Sequence, residues 1–241
     1  MRLSVRRQLR FLRVYAALNT VVLAVLATAA FRQATPQKFD EITVQRMNVV
    51  DANGTLRLVI SNKDRMHPGQ LDGKVIDRPR PVAGLLFFNE SGDEVGGLTF
   101  TGREVNGVAQ ANAGLMFDQF KQDQTIGFSY AEGGGRRSAG FQVWDRSDTV
   151  RLGELIDKLN AANKIEDRAE REKAIAAIRA TAPPAPRRVF VGKNADKAAT
   201  ISLADGNGKA RLTMTVDAAG NPRIEFLDEA GKVVARLPAE K

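Results

Sequence analysis

Carboxylates at close spacing are the side chains of this 241-residue chain best suited to chemistry. Asp118 and Asp123 flank the stretch Gln119-Phe120-Lys121-Gln122, and Glu90 precedes Glu94 by four positions. Two carboxyl groups about 5 to 9.5 Å apart can divide general acid and base work on a glycosidic bond. Asp118, Asp123 and Glu90 are therefore the catalytic candidates. Gln119, Lys121, Gln122 and Gln124 surround the first pair with donors and acceptors that suit a polar ligand, and they are the binding candidates.

Other chemistries lack their parts. The chain has no cysteine, which removes disulfides, thiolate metal sites and a cysteine nucleophile. His67 is the only histidine, and no G-x-S-x-G stretch accompanies it, so it reads as a solvated loop residue rather than a triad member. Glu132 to Gly140, EGGGRRSAG, offers glycines and two arginines but not the order of a phosphate loop, and reads as a hairpin tip. No metal site and no cofactor are implied.

The elements that must hold these residues are strands. Asp51-Ala52-Asn53-Gly54 lies between two runs of apolar and β-branched residues. The same [DN]-x-x-G pattern recurs at Asn89, Asp205, Asp217 and Asp228. An Asp or Asn at the first turn position accepts from the following backbone amides, and glycine at the fourth takes the left-handed conformation that closes a hairpin. Ala-Gly followed by an apolar run with an aromatic recurs at Ala83, Ala113 and Ala139. There the glycines suit close backbone approach and the aromatics supply core area.

In this frame Asp118 is the first residue of its turn, with Lys121 standing where the other turns place glycine. Asp145 to Asp148 is the other turn of the series without one. The irregular turn must be longer or differently shaped than its siblings.

About twelve strand-like runs with short links predict a mainly β fold. It follows the N-terminal helix as an antiparallel β-meander body, a sandwich, barrel or roll with a solenoid-like stack as the alternative, and it carries a helical insert. Leu152, Leu155, Ile156 and Leu159 follow helical spacing, and Pro183, Pro184 and Pro186 end the insert. Such an insert is expected to cover an open sheet edge, with a partner-binding helix pair as the alternative. The reading divides the chain into a basic tail at 1–13, a transmembrane segment at 14–31, a β-repeat region at 32–148, the insert and proline link at 149–186, and a C-terminal meander at 187–241. The last belongs with the same domain.

Charge distribution fixes the address. The net charge is +8, but six of the 36 bases are arginines among the first 32 residues, where there is no acid. The remaining 30 bases face 28 acids, so the body is nearly neutral and no nucleic-acid partner is expected. Val14 to Phe31 runs without a charge. As a helix it is about 27 Å long, close to the roughly 30 Å of a bilayer core. Arginines before the apolar run keep the N-terminus in the cytoplasm and send the body across the membrane. A cleaved signal peptide is the alternative, since Ala27-Thr28-Ala29 fits a cleavage pattern.

The segments GLLFFNESGDEVGGLTF, GLMFDQFKQDQ and RVFVGKNADKAATISLADGNGKARLTM resemble uncharacterised bacterial proteins with an N-terminal membrane segment and a β-repeat body. The resemblance implies a bacterial cell-envelope protein and carries no activity with it. Two functions follow as expectations. One is a membrane-anchored extracytoplasmic binding or structural module, with the membrane, an envelope protein or its own copies as partners. The other is a cell-envelope hydrolase using the paired carboxylates. A barrel interior that holds lipid is a third reading, but the strands carry enough Leu, Phe and Val to fill a barrel themselves.

Overall fold

The computed structural model describes residues 5–30, 37–76 and 78–239. Of the sequence features named above, Arg2, Phe31 and Arg32 lie outside them, as does Asp77 of the segment that carries His67. The chain divides into two units, Met1–Thr43 and Val44–Lys241.

The first unit is a helix, α1 (Val5–Ala30), of which Val5–Thr28 is long and apolar enough to cross a membrane or to serve as a signal sequence. Three polar side chains of its apolar run bond back within the helix. Asn19 donates to Tyr15 O, Thr20 to Ala16 O and Thr28 to Ala24 O, each at 2.9 Å. Such back-bonding keeps the helix surface compatible with hydrocarbon.

The second unit begins with β1 (Arg46–Val50), β2 (Leu56–Ser61) and a small separate ribbon, β3 (Gln70–Leu71) and β4 (Lys74–Val75). There follow β5 (Ala83–Phe88), β6 (Glu94–Val105), β7 (Val108–Asp118), β8 (Gln124–Gly133) and β9 (Arg136–Trp144). Two helices come next, α2 (Leu152–Asn163) and α3 (Arg168–Thr181). The chain ends with β10 (Arg187–Lys193), β11 (Ala199–Ala204), β12 (Ala210–Val216), β13 (Pro222–Leu227) and β14 (Val233–Leu237). Apart from β3 and β4, all strands form one 12-stranded sheet in sequence order, with every neighbour antiparallel.

The meander is as expected, but it does not close. The sheet ends at β1 and β14, and among the described residues these two do not pair. A barrel needs matched strands with a constant stagger. Here β6, β7 and β8 run for 12, 11 and 10 residues while β10 to β14 have only 5 to 7.

The turns share one hydrogen-bond pattern. In seven of them the N–H of the first residue donates to the carbonyl of the fifth and the N–H of the fourth returns to the first. The side-chain oxygen of Asn89, Asn194, Asp205, Asp217 or Asp228 accepts from the amides two and four residues on. In six of the seven the fourth residue is left-handed, as at Gly92 (φ 75°), Gly220 (φ 91°) and, without glycine, Lys197 (φ 66°). The Asn194 turn is thus a glycine-free member of the series that the sequence pattern passed over.

Among the described residues only one face of the sheet is covered, and only over its first strands. Residues 62–76 and 78–82 fold back over β2 and β5, so that Met66 packs with Val59, Leu86 and Phe88, all at most 9% exposed, with Leu56 and Val82 beside them. Further along, this face carries Gly97, Met116, Gly127, Gln142, Phe190, Ser202, Thr213, Glu225 and Arg236 in register. Its glycines are seats for neighbours. A β-carbon at Gly127 would collide with the Met116 sulfur, and one at Gly140 would fall 2.7 Å from the Phe190 ring. Phe88 supplies core area as expected, whereas Phe87 and Phe117 line the other face, where they stack at 6.2 Å across Gly96.

The helical insert does not guard an edge. It interrupts β9 and β10, which are paired neighbours inside the sheet, and its ends close like an ordinary turn. The Asp145 N–H donates to Pro186 O at 3.0 Å, and Arg188, two residues on, pairs with Asp145 at 2.5 Å. Asp205 with Arg211 and Asp217 with Arg223 repeat the same first-residue-to-arginine pair in three-residue loops. The insert is a turn enlarged to residues 146–185.

Candidate functional site

Asp118 is the last residue of β7, paired with Gln124 after a bulge, and the first turn residue is Gln119. The register read from sequence was one residue early. Gln119 donates its backbone N–H to Asp123 O and receives that of Gln122, so this turn has the same length as its siblings. Its shape differs: the left-handed residue is Lys121 (φ 59°), in third place rather than fourth. Gln119 is one methylene too long to cap its own turn, and its amide donates instead to Asp148 at 3.3 Å. The Gln122 amide donates to Ser147 O at 3.0 Å and to Val150 O, while Lys121 O accepts from the Leu152 N–H at 3.2 Å. The binding candidates therefore hold the root of the insert. Gln124 joins them through its backbone oxygen, which accepts from Arg146 at 2.5 Å.

Lys121 has a second task. Its ammonium lies 2.5 Å from Asp93 and 2.7 Å from Asp72. Asp93 is only 1% exposed; one of its oxygens accepts from the Asp72 N–H at 2.7 Å and the other has the Lys121 charge alone for compensation. The two carboxylates raise the Lys121 pKa and hold its ammonium charged. The irregular turn, the 62–82 segment and the β5–β6 turn are riveted through one lysine.

Beside this rivet lies a charge network of three acids and three arginines. Glu94 accepts both arms of Arg80, at 2.8 and 3.0 Å, and Asp123 pairs with Arg146 at 3.7 Å. Arg78, its charge disfavoured by burial, donates to Pro68 O at 3.1 Å. Asp118 is the unpaired member. Its Oδ1 is buried without a hydrogen bond, and burial, then the charges of Glu94 and Asp123, push its pKa up to about 7 against the pull of Arg146 and Arg80. The structure brings Asp118 and Asp123 into one neighbourhood together with Glu94. Glu90 stands outside it, on an 86% exposed side chain paired with Arg57 at 2.7 Å, and is not among the charges acting on Asp118.

His67 is not solvated as expected. Its Nδ1 accepts from the Gly69 N–H at 3.0 Å and its ring stands edge-on to Phe88 at 5.2 Å. Burial, then Arg46 and Arg80, lower its pKa and keep it neutral. Arg78, Arg80, Asp72 and Asp93 were not read as site residues from sequence. The signal available was Arg78-Pro79-Arg80-Pro81, where prolines hold two arginines on an extended strip that needs buried acids opposite. A cavity of about 110 Å³ borders Asp123, Arg146, Gln122 and Leu152, but Asp118 does not line it.

The second candidate is larger and of opposite character. On the open face one row reads Val49, Leu58, Phe87, Gly96, Phe117, Ile126, Val143, Val189, Leu203, Leu212, Phe226, Ala235. The next reads Met47, Ile60, Leu85, Leu98, Leu115, Phe128, Phe141, Val191, Ile201, Met214, Ile224, Leu237. None of these 24 positions is polar. Phe117, Phe128 and Met214 are 45%, 57% and 40% exposed, and near β12 the face dips into an apolar hollow of about 710 Å³. No protein-family model matches the chain, and no curated protein matches it significantly.

Proposed function

We propose that this chain is a membrane-tethered, extracytoplasmic β-repeat module whose work is binding or structural and is carried by the open apolar face. What carries the reading is the pair of uninterrupted apolar rows crossing all 12 strands. Soluble monomers rarely expose contiguous apolar patches beyond a few hundred Å², and an antiparallel sheet that met water on this side would alternate polar residues outward. The helix α1 supplies the tether, and the arginines that precede its apolar run set the orientation.

The chain's lack of cysteine gives a clean test. Phe128→Cys lies on the open face and Ser129→Cys on the other, one residue away. In cells, a membrane-impermeant maleimide should label S129C and leave F128C protected until the protein is unfolded in denaturant. Equal labelling of both in intact cells would mean an uncovered face, and no labelling of S129C would put the body on the cytoplasmic side.

A second reading, a cell-envelope hydrolase using paired carboxylates, draws on one observation: Asp118 is held protonated near neutrality beside Asp123. It requires that the purified full chain release reducing sugar from envelope polysaccharide and that Asp118→Asn abolish the release. No release by the wild type removes it.

A further inference from the structure

We infer that the occupant of the open face is a second copy of this chain, packed sheet against sheet about a two-fold axis. The inference rests on the binding-module reading and names its partner.

Area is the first argument. Twelve strands at about 4.8 Å span about 53 Å, and two rows of side chains cover about 14 Å along the strands, or roughly 700 Å² per copy. Two such faces bury about 1,500 Å², the size of a stable specific interface.

Chemistry is the second. A two-fold interface sets a surface against itself, so a face with a net charge meets a face of the same net charge. The 24 positions carry none, and the adjoining row of Ala83, Phe100, Ala113, Tyr130, Ala139, Lys193, Ala199, Val216 and Pro222 carries one. The small residues Gly96, Ala113 and Ala139 alternate with larger side chains across the strands, the pattern that interdigitating sheets about 10 Å apart use.

Lipid is the poorer occupant. The edges at β1 and β14 present unpaired backbone N–H and C=O groups, which hydrocarbon does not tolerate. A sheet pair leaves both edges in water.

Symmetry selects the residues to test. The middle of the 12-strand order falls between β8 and β9, so Phe128 and Phe141, 5.3 Å apart, lie nearest the two-fold axis and face their own copies. In native membranes holding the full chain, a short bismaleimide should cross-link F128C to a covalent dimer, and S129C, on the opposite face, should not. Purified full chain in mild detergent should run as a dimer, and Phe128→Asp, with its carboxylate solvated in a lone sheet and buried in a pair, should weaken association by about a hundredfold or more. Met214→Asp provides the same perturbation away from the centre. If F128C is protected from maleimide yet forms no dimer, another molecule covers the face: the self-association inference falls and the binding-module reading stands. If F128C is freely labelled and monomeric, both fall.

Discussion

Replacing Asp118 by asparagine removes a charge while keeping the shape of a side chain whose ionisation the fold resists. Its pKa rises from 3.8 to about 7 on folding, chiefly by burial. Between these values the unfolded chain has released a proton that the folded chain keeps, so stability falls as pH rises, by about 1.4 kcal/mol per pH unit. Below about pH 4 both states are neutral at this position, and above about pH 7 the full penalty is present. The difference of about three units corresponds to about 4 kcal/mol, and partial solvation of Asp118 reduces this to about 2 to 4 kcal/mol. Asp118→Asn should therefore match the wild type near pH 4 and exceed it by about 2 to 4 kcal/mol at pH 8. Other titrating groups cancel in the comparison. With a urea slope of about 2 kcal/mol/M the midpoint at pH 8 should rise by about 1 to 2 M. Urea titrations of the full chain in detergent at the two pH values make the measurement. A variant that is less stable at pH 8, or whose advantage does not grow with pH, would show that Asp118 folds as a paired carboxylate and would refute the burial argument.

Four further perturbations test the frame. Lys121→Met leaves the Asp93 carboxylate buried without its cation and should cost about 3 to 5 kcal/mol by denaturant titration at neutral pH. Gly192→Ala would drive a β-carbon into the backbone of Ala139 and Gly140 and should destabilise by about 3 kcal/mol or more, whereas the Gly127→Ala defect should be partly relieved by Met116→Ala, read as a double-mutant cycle. Replacing residues 146–185 by Ala-Asn-Gly should keep β9 and β10 paired, because Asp145, Pro186 and Arg188 already hold the geometry of a short turn. Far-UV circular dichroism would retain its strand signal, and protease should cut residues 62–82 faster once the contacts of Lys121 and Gln122 with the insert are gone.

The local parts of this fold were legible in the sequence for a physical reason. An Asp or Asn that caps its own turn and a glycine in the left-handed place act within five residues, and Asn89, Asp205, Asp217 and Asp228 announce them directly. Where the cap is absent the reading slipped: Gln119 cannot fold its amide back, so Asp118 took its place by one residue. The insert's helices were plain from Leu152, Leu155, Ile156 and Leu159, but its position inside the sheet depends on a bond from Asp145 to Pro186 that local pattern does not encode. The rivet of Lys121 with Asp72 and Asp93 and the partnership of Arg80 with Glu94 are likewise long-range. The open face was hidden for a different reason. Alternating apolar residues look the same whether the layer that covers them belongs to the chain or to another molecule, so Phe87, Phe117 and Phe141 read as core.

The strict order of the sheet bears on how the chain assembles. Each strand of the sheet pairs with the one made before it, so contact order is low and every new hairpin can close within microseconds once both arms exist. Synthesis at about 5 to 20 residues per second then limits growth, with a free edge advancing along the nascent chain. At β9 the advance stops while 146–185 are made, about 2 to 8 seconds at that rate. The edge left waiting carries Arg136 and Arg137, charges that discourage a foreign strand from docking there before β10 arrives.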